Sequence, residues 1–124
     1  MKLANLAPIL NVSDVPASLD WFEALGWARG FAWDEHGMHS SKPTFASIES
    51  GGAEIFLCLD GQGERGVWMS WFLPSRAELD ALHTRAIELG CEIVRPPTDE
   101  PWGMREFHLR HPDGHVFRVS AESG

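Results

Sequence analysis

An α+β fold of two tandem βαβββ modules is what this sequence predicts. The modules are expected to form a curved mixed sheet around a cleft, with the helices on its convex face. Three observations carry that expectation. Two segments have apolar residues at helical spacing and each is closed by a glycine, Gly26 and Gly90. Each of these helical segments is flanked by short runs in which apolar and polar residues alternate, the period of half-buried strands. The order of elements in residues 7–59 then recurs in residues 67–120, so the 124 residues read as one domain of two like modules.

The first strand is expected over residues 7–12 (APILNV). Ser13-Asp14-Val15-Pro16 follows, with a capping residue ahead of a proline in the first turn, and opens a helix with Val15, Leu19, Phe22 and Leu25 on one face. Strands are expected at 28–33, 45–49 and 53–59, the last two joined by the tight turn Ser50-Gly51-Gly52. Residues 34–44 read as a polar loop holding His36, Met38 and His39. The second module begins with a strand at 67–73, and Ser75-Arg76-Ala77-Glu78 has the form of a capping box. The helix it opens turns Leu79, Leu82, Ala86 and Leu89 inward. Strands follow at 92–95, 104–110 and 115–120, the last two joined by His111-Pro112-Asp113-Gly114. Pro112 fixes an early turn dihedral and Gly114 accepts positive φ.

Because side chains alternate across a strand, each strand divides into two sets. Pro8, Leu10, Val12, Ile55, Leu57, Met69, Trp71, Phe117 and Val119 fall on the helix side. Ile9, Asn11, Glu54, Phe56, Cys58, Trp68, Ser70, Phe72, Val116, Arg118 and Ser120 fall on the cleft side, a set rich in aromatics.

Composition limits the classes of function. The net charge of −8 disfavours nucleic acid and anionic membranes and favours neutral or cationic partners. No apolar run approaches the ~20 residues of a membrane span, and no signal peptide is read before Ala4. Cys58 and Cys91 lack metal or redox spacing and read as reduced thiols, so a cytoplasmic protein is expected.

The NVSDVPASLDWFEALGW opening, the HPDGHVFRV ending and the tandem module order resemble the vicinal-oxygen-chelate superfamily of glyoxalases, extradiol dioxygenases and drug-resistance proteins. The stretch PWGMREFHLRHPDGHVFRVSAE is most similar to bleomycin-resistance proteins. The resemblance implies homodimers with clefts formed between subunits, and Pro8 stands where those proteins carry a proline as the first strand crosses to its partner. It also implies four metal-ligand positions in the enzymes of the superfamily, which fall here on Ala7, Phe56, Trp68 and Arg118. None of these side chains binds a divalent cation, so neither metal nor cofactor is expected.

Without a metal, the cleft reads as an aromatic pocket with a few charges. The residues expected to bind ligand are Trp33, Glu54, Phe56, Trp68, Phe72, Trp102 and Arg118. Trp33 lies beside Asp34 and Glu35, and Trp102 beside Asp99 and Glu100, a setting suited to a planar cation. The resulting expectation is a non-catalytic protein that sequesters a bulky, partly aromatic and cationic small molecule, such as a glycopeptide-type antibiotic. An alternative is a metal-independent lyase or isomerase with Glu54 as general base and Arg118 holding an anionic intermediate. A metalloenzyme would need Glu54, His108 and His115 as ligands. The histidines of the last hairpin, His108, His111 and His115, otherwise read as exposed or hydrogen-bonded residues.

Overall fold

The computed structural model describes residues 1–35, 37, 38 and 42–124. The chain divides into two compact units, Met1–Arg65 and Gly66–Gly124, and each builds its own mixed sheet with one helix packed against it.

In the first unit the order is β1 (Ile9–Val12), α1 (Val15–Ala24), β2 (Ala28–Asp34), β3 (Gly37–Met38), β4 (Phe45–Ser50) and β5 (Ala53–Leu59). The sheet runs β1-β5-β4-β2-β3, with β1 parallel to β5 and the other pairs antiparallel. Asp14 caps α1 by accepting a hydrogen bond from the Ala17 amide at 2.9 Å, and Gly26, at φ +111°, ends the turn that follows. Val15, Leu19 and Phe22 of α1 are buried, as are Leu10, Val12, Ala46, Ile48, Ile55 and Leu57 of the sheet. Leu25, at the helix's C-cap, is also nearly covered. The alternation expected on β1 and β5 is the one observed: burial falls on every second residue.

Asp34, Gly37 and Met38 depart from the expected loop. β2 continues to Asp34, and Gly37–Met38 pairs back onto Trp33 and Asp34. His36 and His39 lie outside the described residues. Earlier in β2, a register shift between Arg29 and Ala32 sets two residues, Gly30 and Phe31, opposite the single Ser47 of β4. Gly30 sits at this bulge because the Ser47 hydroxyl occupies the space of its missing side chain: a Cβ there would stand 2.0 Å from Ser47 Oγ. That hydroxyl accepts from the Phe31 amide at 3.0 Å and is fully buried.

The second unit contains β6 (Trp68–Phe72), α2 (Arg76–Glu88), β7 (Glu92–Asp99), β8 (Met104–Arg110) and β9 (Val116–Glu122). Its sheet runs β6-β9-β8-β7, with β6 parallel to β9. Ser75 caps α2 through its hydroxyl: Oγ accepts from the Glu78 amide at 3.2 Å and donates to Glu78 Oε2 at 3.1 Å. Leu79 and Ala86 of α2 are fully buried, but Leu89, expected inward, is 40% exposed at the helix's C-cap, where the helical period has ended.

β7 is longer than the expected 92–95. Pro96 and Pro97 argue against a strand, yet β7 is an edge strand, and the register shift between Arg95 and Thr98 takes up the prolines, which lack an amide to donate. On the helix side Trp71 stacks on Phe117, with ring centroids 4.2 Å apart and planes 16° from parallel.

Candidate functional site

The last hairpin sets the register of the second unit. His111 N–H donates to the His115 carbonyl at 2.8 Å, and Gly114 N–H to the His111 carbonyl at 2.8 Å, closing a symmetric turn. Glu106 is therefore opposite Ser120, His108 opposite Arg118 and Arg110 opposite Val116. On the other flank of β9, Trp68, Ser70 and Phe72 pair with Val116, Arg118 and Ser120. All these residues share the sheet face turned away from α2, and Arg118 stands at the centre of it.

Arg118 is held by a two-pronged ion pair with Glu106. Its Nε donates to Oε1 at 2.9 Å and its Nη2 to Oε2 at 2.8 Å. The Trp102 indole N–H donates to the same Oε2 at 2.9 Å, so both Glu106 oxygens are engaged. The Arg118 guanidinium and, after it, the Trp102 bond hold the Glu106 carboxyl below the usual carboxylate range, against the opposing effect of burial. Fully engaged and ionised, Glu106 is a poor proton acceptor and a good anchor. Beside it, His108 meets the Trp68 ring edge-on, centroids 5.3 Å apart. Burial, followed by the Arg95 charge, lowers the His108 pKa, leaving the imidazole neutral at pH 7.

Around this polar centre the aromatics stand in solvent: Trp68 is 57%, Trp102 59% and Phe72 74% exposed. Trp102 is on a short loop between Pro101 and Gly103, the latter at φ +85°, as its sequence suggested. The flanking acids are not free for a cation. Asp99 accepts from Arg105 at 2.8 Å, and Glu100 is paired with Arg95.

In the first unit, Phe31, Phe45 and Phe56 form a cluster with centroid separations of 5.4–5.7 Å. Ile9 pairs with Phe56, and Trp33 pairs with Phe45 and is 43% exposed. Glu54 is opposite Glu49 across the β4–β5 ladder and accepts from the Asn5 amide at 3.0 Å. The seven expected site residues are thus distributed by module: Trp33, Glu54 and Phe56 in the first, Trp68, Phe72, Trp102 and Arg118 in the second.

Sequence reasoning missed Glu106, His108 and Arg95 as members of the face. The signal was available, because a symmetric His111–His115 turn pairs residues whose numbers sum to a constant, which sets Glu106 and His108 beside Arg118. Two of the hairpin histidines are not exposed. His111 and His115 are buried, and their Nδ1 atoms accept from the Asp113 amide at 3.0 Å and the Val67 amide at 3.1 Å. His115 precedes β9 rather than belonging to it. Each therefore braces the backbone.

The residues at the superfamily's metal positions do not suit a metal. A methyl, a phenyl, an indole and a guanidinium committed to Glu106 offer no lone pair to a divalent cation. Among the described residues no group of three or more His, Cys, Asp or Glu side chains is placed to hold one. A cavity of about 460 Å³ near the start of α2, lined by Pro74, Ser75, Arg76, Asp80 and Ser123 among others, includes none of the seven expected residues.

Comparison with known proteins agrees with this architecture. Residues 2–119 match the family model of the Glyoxalase/Bleomycin resistance protein/Dioxygenase superfamily, and the chain belongs to that superfamily. TioX from Micromonospora sp. ML1 is similar in structure, with a TM-score of 0.82 at 19% identity over 96% of this chain and 99% of that one. A glyoxalase/bleomycin resistance protein/dioxygenase from Nocardioides has a TM-score of 0.71 at 23% identity, over 100% of this chain and 88% of the other. An integron cassette protein from V. cholerae has 0.70 at 21%, covering 99% and 98%. A search of curated proteins finds no match.

Proposed function

We propose that this member of the glyoxalase/bleomycin-resistance superfamily binds and sequesters a bulky, partly aromatic small molecule without converting it, as a cytoplasmic homodimer. The observation that carries the reading is the second module's sheet face, where Trp68, Phe72 and Trp102 stand exposed around the buried carboxylate of Glu106. Exposed tryptophans held in place by a hydrogen bond or a ring contact, rather than by burial, are suited to stacking on a guest. The donor set at the metal positions supports binding over metal-assisted chemistry, and both oxygens of Glu106 are already committed.

The cationic character of the guest has less support than its aromaticity. The carboxylates beside Trp102 are taken up by Arg95 and Arg105, which leaves only the long-range pull of the net charge, −8. The dimer is supported by the apolar side chains left exposed, among them Leu3, Leu6 and Ile9.

The test is a thermal-shift screen with glycopeptide antibiotics and other planar drugs. A ligand at a hundred times its Kd adds about 2.7 kcal/mol of stability. At least one planar compound is expected to raise Tm, and a panel without any such compound contradicts the reading. Turnover of methylglyoxal hemithioacetal or of a catechol, or one tightly bound metal ion per chain by elemental analysis, would replace it with an enzyme.

A further inference from the structure

We propose that the second module's open face carries a subsite for a planar aromatic carboxylate, with Arg118 receiving the acid group and Trp68 and Trp102 stacking on the ring. This deepens the binding function proposed above and adds the polarity of the ligand to it.

Around Arg118 the ends of the charge pairs that meet solvent are the guanidiniums. Beside Arg118 two carboxylates are covered, the side chains of Glu106 and Glu100 being 3% and 7% exposed, whereas Glu92, paired with Arg110 at the hairpin end of the face, is 62% exposed. Arg118 and Arg95, the partners of Glu106 and Glu100, are 43% and 42% exposed. Each of these two pairs is neutral in sum, but what it presents to an arriving ligand is a guanidinium. Arg118 uses one edge of its fork, Nε and one Nη2 hydrogen, on Glu106. The other Nη2 hydrogen and both Nη1 hydrogens remain on the opposite edge, and among the described residues Glu106 is the only acceptor Arg118 has.

A carboxylate meets that edge with charge-assisted hydrogen bonds. Beside Arg118 an ammonium group meets two guanidiniums, and the exposed carboxylate of Glu92 is held by Arg110. His108, neutral at pH 7, contributes no opposing charge. The register places Arg118 one strand from Ser70 and diagonal to Trp68 and Phe72, while Trp102 is tied to it through Glu106. A ring lying over this face would therefore find aromatic surface on both sides of the guanidinium.

The experiment titrates the full chain by calorimetry with three probes of the same ring: 2-naphthoate, 2-naphthalenemethanol and 2-naphthylmethylammonium. The naphthoate is expected to bind about tenfold tighter than the ammonium, the scale of one charge-assisted contact at a half-exposed site. In the double variant R118M/E106Q, which keeps an acceptor for the Trp102 indole, that ratio should fall to about one. As a measurement that needs no variant, naphthoate should shift the Arg118 Nε–H resonance of the unaltered chain.

An ammonium that binds as tightly as the naphthoate, a preference that survives in the double variant, or an unmoved Arg118 resonance overturns the proposal. If the alcohol still binds in those cases, the aromatic reading stands without the carboxylate. Should none of the three probes bind, both fail.

Discussion

Acid should weaken this fold through one buried imidazole. His111 is 1% exposed, and burial, the largest effect, pushes its pKa down to about 4, although Asp113 pulls the other way. In the unfolded chain a histidine titrates near 6.5, so below that pH the unfolded state binds a proton that the folded state refuses. The contribution is present in full above pH 6.5 and is lost as pH falls from there through 4. Between pH 7 and pH 5 the two pKa values give a loss of about 2 kcal/mol, rising to about 3 kcal/mol below pH 4. Urea unfolding at pH 7 and pH 5 measures the loss, and the variant His111→Asn isolates it. An asparagine Oδ1 can take the place of Nδ1 as acceptor for the Asp113 amide, now bonded at 3.0 Å, and cannot titrate. If the parent and His111→Asn lose the same stability between pH 7 and pH 5, the buried neutral imidazole is not the cause.

Trp71→Ala should cost about 3–5 kcal/mol in urea unfolding, because it removes the ring stacked on the fully buried Phe117; a loss below about 1 kcal/mol would mean the stack contributes little. Gly30→Ala should cost roughly 1–3 kcal/mol by driving a methyl into Ser47 Oγ and breaking its bond to the Phe31 amide, and Ser47→Gly in the same chain should recover part of that. An unchanged Gly30→Ala Tm would show that the bulge relaxes freely. Light scattering at micromolar concentration should give twice the 13.8 kDa chain mass, and a single-chain mass would contradict the homodimer.

The elements were legible wherever local chemistry and tertiary position agreed. Asp14 and Ser75 announce their helices, and Gly26 and Gly90 close them, because capping and positive φ are local demands. The strand alternation survives intact on β5, one face of which is committed to α1, and on β6, where Trp71 stacks on Phe117 of β9. β7 was cut short because the cost of Pro96 and Pro97 depends on whether a neighbouring strand needs their amides, and an edge position is not written in the local sequence. β3, at two residues, is too short for any periodicity to mark.

At the site, the aromatics could be found by parity and loop chemistry, but charges could not be assigned partners. Acids adjacent to Trp102 in sequence looked free for a cation, and in the fold they belong to arginines instead, Asp99 to Arg105 across the sheet and Glu100 to Arg95 of the preceding strand. Likewise Glu106, invisible without the hairpin register, is the residue that holds Trp102 and Arg118 together.

The central claim, that exposed aromatics of the second module grip the guest, meets its most direct test in Trp102→Ala. Calorimetric titration of the tightest compound from the thermal screen into parent and variant should show binding weakened by roughly 1–3 kcal/mol. Stability should fall by no more than about 1 kcal/mol, since the ring is 59% exposed and Glu106 keeps both bonds from Arg118. An affinity within about twofold of the parent, or a chain that no longer folds, would contradict the account.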